Sequence, residues 1–221
     1  METLVKILST EYVTHNVRRF RLEKPEGFIY RPGQATDLAV NKDGWRDMRN
    51  PFTFTCLTDA PYLEFTIKIY PDHEGVTNQL SMLEAGDEVI LRDPWGCIEY
   101  KGPGYFIAGG AGITPFLAIL RMLKHEGKAA ENKLFYSNRT DDDIILKDEL
   151  TELLGENAHF VVSRQPDTIH DKRRIDEAFL KAEVDDFYKH FYVCGPDPMV
   201  LGITELLAGL GAKTDAVVFE K

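Results

Sequence analysis

Near residue 100 the spacing of apolar residues changes period, and this change limits the fold more than any other feature of the chain. Upstream run short segments that alternate or are rich in β-branched and aromatic residues: TLVKILSTEYV, VRRFRLEK, ATDLAV, PFTFTCL, YLEFTIKIY and DEVILRD, punctuated by Gly, Pro and Asp. Closely spaced strands of this kind predict a small antiparallel barrel. One helix, TNQLSMLEAG, interrupts them and stops at Gly86. Downstream the rhythm becomes strand, helix, strand, helix. The strands read YFIAG, KLFYS, HFVVS, HFYVC and AVVFE; the helices read PFLAILRMLKHEG, IILKDELTELLG, RIDEAFLKA and DPMVLGITELLAGLG. Short apolar strands alternating with helices predict a parallel sheet covered on both faces. The expected architecture is two domains: an N-terminal antiparallel β-barrel over residues 1–100 and a C-terminal α/β parallel-sheet domain over 103–221, linked through EYKGPGY. A length of 221 residues suits two such units.

Where the first parallel strand ends, YFIAGGAGITPF places Gly109, Gly110 and Gly112 ahead of Thr114 and Pro115. In open parallel sheets, ligands bind beyond the carboxyl ends of the strands. Glycine permits a tight turn and lets a ligand approach the backbone. Thr114 suits a helix N-cap and Pro115 the first helical position. Free N–H groups at a helix start attract phosphate. The segment, with Ile113, therefore reads either as a pyrophosphate cradle or as a tight turn without a ligand. It is not GxGxxG, because Pro115 stands where the third glycine would be. A second segment, YVCGPDPM, ends another apolar strand at the same edge, with Cys194 at the tip beside Gly195 and Pro196, and Met199 following. Two glycine-bearing strand ends flanking one crevice favour the ligand.

The remaining composition mainly excludes. The formal net charge of −10 argues against nucleic acid as a partner. No apolar run approaches the roughly 20 residues that span a bilayer, and METLVKILSTEYV reads as a strand and not as a signal peptide. A cytoplasmic protein without a membrane partner is expected. Cys56, Cys97 and Cys194 are scattered, with no metal or disulfide spacing, so no metal site is expected.

Taken in order, FTFT, GVTNQL, GGAGITPF, CGPDPM and the terminal VFE resemble the motifs of the ferredoxin–NADP reductase superfamily, close to its bacterial flavodoxin-reductase and oxygenase-reductase members. The resemblance covers nearly the whole chain. It implies a flavin-binding barrel, with FAD favoured and FMN as the alternative, and a second domain that binds NADPH or NADH. The family signature is Arg, any residue, Tyr or Phe, then Ser or Thr. Phe52 and Thr53 match its last two positions, which implies that Phe52 packs on the flavin and Thr53 hydrogen-bonds near N5. Asn50 replaces the arginine, and Arg49 lies one residue early. In a regular strand Arg49 faces the other way, unless a bulge at Asn50-Pro51 re-aims it. Lys68 and Arg46 are the other candidate cations. Gly75, Val76 and Thr77 open the barrel's helix, with Thr77 or Asn78 as its cap, and are implied to hold the flavin pyrophosphate. The backbone at Ile67 and Lys68 would line the flavin, and Tyr70 would lie near its adenine.

By the same resemblance, Ser163 and Arg164 of VVSRQP match a pair that holds the adenosine 2′-phosphate in NADPH-using relatives. Arginine's planar fork suits that group. Arg139 would flank the adenine, and Arg173 of the Lys172–Arg174 run would add charge, whereas Asp141, Asp142 and Asp143 would repel. The balance leans to NADPH. The implied reaction passes a hydride from the nicotinamide, seated between Thr114 and the Cys194-Gly195 tip, to the flavin. Single electrons then pass to a one-electron carrier such as flavodoxin or ferredoxin, or to an oxygenase component. Cys194 would shape the nicotinamide pocket, and Glu220, after Phe219, is a candidate proton relay. Only Lys221 follows, which predicts an open flavin face. Two other readings stay open: an electron-transfer or redox-sensing subunit without independent catalysis, and a reductase of free flavin.

Overall fold

The computed structural model describes residues 2–96, 98–212 and 217–219, and the chain divides into two compact units, residues 1–97 and 98–221. The sequence reading ended the first domain at residue 100. The structure groups Tyr100 with the second unit, where its ring stacks 5.8 Å from Tyr192 and 6.4 Å from Phe106.

The first unit is antiparallel throughout. Its strands are β1 (Glu2–Thr14), β2 (Val17–Glu23), β3 (Ala35–Val40), β4 (Arg49–Thr53), β5 (Tyr62–Lys68) and β6 (Glu88–Arg92), and its helix is α1 (Val76–Ser81). They form one sheet in the order β4-β3-β6-β1-β2-β5. β1 serves both halves: Glu2–Lys6 pairs with β6 and Ile7–Thr14 with β2, with the register shifting between Ile7 and Ser9. Alternation sorts β5 cleanly. Leu63, Phe65 and Ile67 enter the core; Glu64, Thr66 and Lys68 alternate with them, Glu64 and Thr66 being buried as well, and Tyr62 packs against the core's edge. β4 begins two residues before the expected PFTFTCL and ends at Thr53. Beyond it, the Thr55 N–H donates to the Glu64 carbonyl at 2.8 Å, which joins the two edges of the sheet. Phe54 is wholly buried and stacks 4.1 Å from Tyr30.

The second unit contains β7 (Gly104–Gly109), α2 (Thr114–His125), β8 (Lys133–Asn138), α3 (Lys147–Leu154), β9 (Ala158–Val162), α4 (Glu177–Glu183), β10 (His190–Cys194), α5 (Asp197–Gly209) and β11 (Val217–Phe219). All strands are parallel, in the order β11-β10-β7-β8-β9. One face of the sheet presents Tyr105, Ile107, Phe135, Phe191 and Val193 to Phe179, Leu180, Ile203 and Leu207 of α4 and α5. The other presents Phe106, Tyr136 and Tyr192, with Phe116 of α2 edge-on to Phe106. Ile144 and Ile145, expected to open a helix, are buried outside it. α3 begins only after Leu146, which adopts a left-handed φ of 52°. Among the described residues, no helix is long and apolar enough to cross a membrane.

Candidate functional site

The strand order of the second unit places its site. From β7 the chain steps outward to β8 and β9, then returns to β10 on the other side of β7. The reversal falls between β7 and β10, and a doubly wound sheet binds its ligand in the crevice outside that point. Along the carboxyl edge the tips stand in a row: Cys194-Gly195 of β10, Gly109–Gly112 of β7, Asn138-Arg139 of β8 and Ser163-Arg164 of β9. Three strand spacings separate the ends of that row, about 14–15 Å. An extended dinucleotide is commensurate with that span.

The turn after β7 corrects two expectations. First, Gly109 and Gly112 clear space for the neighbouring β10 tip and α5. A Cβ on Gly109 would lie 2.4 Å from the Met199 sulfur, and one on Gly112 would lie 2.3 Å from the Cys194 carbonyl oxygen. The tips of β7 and β10 thus pack backbone to backbone. Only Gly110 combines a left-handed φ of +53° with open space where a side chain would stand. Second, Thr114 is not an N-cap. Residues Gly110–Ile113 form a 3₁₀ turn that runs directly into α2, and Ile113 at the cap position is already helical. No side chain caps this start, and the Ile113 side chain is fully buried. Pro196 is exposed, and Cys194 is buried.

Further along the edge, the Ser163 hydroxyl and N–H both donate to the Asn138 carbonyl, and the Arg164 N–H donates to the Arg139 carbonyl at 2.9 Å. Arg139 and Arg164 therefore sit on adjoining strand ends. Both are exposed, and neither has a carboxylate partner among the described residues. Of the carboxylates expected to repel a phosphate, Asp142 is exposed, while Asp141 and Asp143 are tied into local hydrogen bonds with neutral donors and keep their charge. Asp141 accepts from Thr168 at 2.5 Å and from Gln165 at 3.1 Å. Asp143 closes a capping box with Thr140. Arg173 differs from expectation: its guanidinium bonds Asp171 at 2.5 Å and Glu183 at 2.7 Å and lies over the Phe179 ring. Flanking carboxylates commit it to the protein instead of to a phosphate. In return, Arg173 holds the Asp171 and Glu183 carboxyls below the usual carboxylate range.

In the first unit, β4 pairs with β3 in unbroken register from Arg49 opposite Ala39 to Thr53 opposite Ala35. No bulge re-aims Arg49. It shares a face with Pro51 and Thr53 and lies 3.8 Å from Asp37, while Asn50 shares the Phe52 face. Arg46 donates to the Asn41 side-chain oxygen at 2.9 Å and lies 3.6 Å from the Asp43 carboxylate. Thr53 is buried and Phe52 half-buried against the barrel core. Lys68 follows Thr66 on the outer face of β5, and the Thr66 and Thr55 hydroxyls meet at 3.4 Å. The side chains of Ile67 and Val76 belong to the core, so only their backbone can meet a ligand. α1 starts from Gly75, extended at φ −143° with open space around it, and neither Thr77 nor Asn78 caps it. Exposed Tyr70 stacks on His73 at 5.7 Å, a flat platform that the sequence reading caught only in part.

Two residues escaped the sequence reading altogether. Tyr136 is fully buried beneath the β7 turn. Asn138 is 5% exposed, and its side-chain amide is buried against the Tyr136 hydroxyl. Its signal was a polar residue ending an apolar strand at the ligand edge. Glu220 lies outside the described residues.

Comparison with known proteins assigns the class. Residues 4–100 match the oxidoreductase FAD-binding domain family, and residues 106–205 match the oxidoreductase NAD-binding domain family. NADH-cytochrome b5 reductase 1 of Rattus norvegicus is 30% identical across 89% of this chain and 78% of its own length. The chain belongs to the ferredoxin–NADP reductase superfamily. It carries the FAD-binding and NAD-binding oxidoreductase domains of that superfamily. The reductase component of propane 2-monooxygenase from Rhodococcus jostii is 28% identical across 98% of this chain. The chain spans only 62% of that relative's length. A ferredoxin NADP+ reductase of Neisseria gonorrhoeae, solved with bound FAD and NADP, superposes with a TM-score of 0.85 at 20% identity, over 99% of this chain and 98% of that one.

The side chains present fit both groups. A half-buried Phe52, a buried Thr53, an open Gly75 and the Tyr70–His73 platform suit a flat ring system and a nucleotide tail. A helix start without a side-chain cap, an open Gly110 and two arginines without carboxylate partners among the described residues suit a phosphorylated dinucleotide.

Proposed function

We propose that this reductase takes hydride from NADPH, with NADH as a slower donor, and delivers single electrons to a one-electron carrier protein or an oxygenase component. FAD, when bound, supplies the conversion of a two-electron donor into one-electron steps. The protein's part is to bind and orient. On the first unit, Phe52 offers an apolar face, and Thr53 places a hydroxyl able to donate or accept. Lys68 and Asn50 meet the flavin phosphates in place of the family's arginine, and Gly75, Val76 and Thr77 present backbone N–H groups. On the second unit, the Gly110–Thr114 turn receives the pyrophosphate and the Cys194-Gly195 tip the nicotinamide. Arg139, Ser163 and Arg164 receive the adenosine end. The observation that carries the choice of donor is the adjoining, exposed Arg139 and Arg164, without carboxylate partners among the described residues. An oxygenase or carrier acceptor is supported by the reductase components among the relatives.

The test is direct. Purified protein retains a yellow chromophore through gel filtration, bleaches anaerobically with NADPH faster than with NADH, and then reduces ferricyanide. Flavin lost on the column favours a reductase of free flavin. A bound flavin that neither nucleotide bleaches removes the enzymatic reading.

A further inference from the structure

Beneath the β7 turn, the Tyr136 hydroxyl donates to the Gly110 carbonyl at 2.9 Å and accepts from the Ile145 N–H at 3.3 Å. Tyr136 stands beside Ala108 in the parallel register and is fully buried. Burial raises its pKa, so the phenol stays protonated and able to donate. The rest of the turn is held from the other side. Gly109 is pressed against Met199 and Gly112 against the Cys194 carbonyl. Gly110 has no such wall: its φ is +53°, and nothing lies within 4 Å of where a Cβ would stand. Its carbonyl belongs to the 3₁₀ turn Gly110–Ile113, whose i→i+3 pattern restrains it, and the Tyr136 hydroxyl adds a side-chain donor to the same oxygen. A trans peptide is a rigid plane in which the C=O of one residue and the N–H of the next point in opposite directions. A Gly110 carbonyl drawn in toward β8 therefore turns the Ala111 N–H outward.

We infer that Tyr136 is a positioning residue for dinucleotide binding: its hydroxyl pins the Gly110 carbonyl inward and so aims the Ala111 N–H at the diphosphate. The same hydroxyl ties down Ile145, next to the left-handed Leu146, so one buried group braces the turn and the segment leading into α3. The inference rests on the reading of residues 109–114 as a pyrophosphate cradle, and the probes separate the two.

The flavin-loaded full chain is titrated calorimetrically with ADP, which carries the diphosphate, and with adenosine, which does not. The wild type binds ADP more tightly. Tyr136→Phe keeps the ring and removes the hydroxyl. It should weaken ADP by about tenfold, the scale of one hydrogen bond to a charged group, and leave adenosine unchanged. Placing 4-aminophenylalanine at position 136 restores a donor and should restore ADP binding. If Tyr136→Phe folds poorly, that variant decides, and loss of its ADP preference overturns the inference. Equal ADP affinity in wild type and Tyr136→Phe also overturns it, as does an equal loss for both ligands. A wild type that does not distinguish ADP from adenosine overturns the cradle reading itself, and the inference with it.

Discussion

Gly112 has no room for a side chain, and the obstacle is backbone. A Cβ there would sit 2.3 Å from the Cys194 carbonyl oxygen, an atom that cannot swing aside. Gly112→Ala should therefore destabilise the second unit by the upper part of the overpacking range, about 1–3 kcal/mol. Urea unfolding checks it, and a midpoint equal to wild type would contradict the packing argument. Gly109 faces a softer wall, the end of the Met199 side chain, so its substitution costs less. On β4 the argument concerns charge. Because the register is unbroken, Asn50 and not Arg49 lies on the Phe52 face. Asn50→Arg should tighten flavin binding by about tenfold, since a charge-assisted hydrogen bond is roughly twice as strong as a neutral one. Fluorescence titration of the apoprotein with FAD measures it. Arg49→Ala, on the other face, should change that affinity little.

Among the elements, β9 and α4 are coupled by charge. His159 on β9 bonds Asp171 at 2.9 Å, and Asp171 and Glu183 both hold Arg173. The Asp171 carboxyl titrates below its ordinary range, chiefly through its hydrogen bond to Arg173. A carboxylate with a depressed folded pKa stabilises the fold above its unfolded pKa, and that stability is lost as pH falls toward the folded value. The second unit should thus lose stability as pH drops below the usual carboxylate range, near pH 4. Asp171→Asn should flatten that acid limb while lowering stability at neutral pH. Denaturation midpoints between pH 3 and 7 read both. An unchanged acid slope would place the acid sensitivity elsewhere.

For the whole molecule, the consequential choice is between two nucleotides that differ by one phosphate. Arg139 and Arg164 stand together at the β8 and β9 tips, without carboxylate partners among the described residues. The double substitution Arg139→Ala, Arg164→Ala should cut kcat/KM for NADPH by about 10²-fold, two charge-assisted contacts of some 1.5 kcal/mol each. NADH should be nearly unaffected. Ferricyanide reduction with each donor tests this, and an equal loss for both would assign the arginines to the shared adenosine. Arg173→Ala should leave the ratio between donors unchanged, because its guanidinium already serves Asp171 and Glu183.

Periodicity alone determined the class. The alternation in YLEFTIKIY and the apolar blocks YFIAG, KLFYS and HFYVC predict antiparallel and parallel strands, and these strands formed with ends displaced by a residue or two. Burial acts on every residue of a strand at once, so the pattern survives in one dimension. Motif order carried the family for the same reason, since GGAGITPF and CGPDPM each mark a strand end. Only the tertiary structure decided which turn glycines face protein, that Arg173 is engaged by two carboxylates, and that Tyr136 reaches under Gly110. Each depends on a partner between 2 and 90 positions away. Sequence spacing does not specify such a contact until the strands lie side by side.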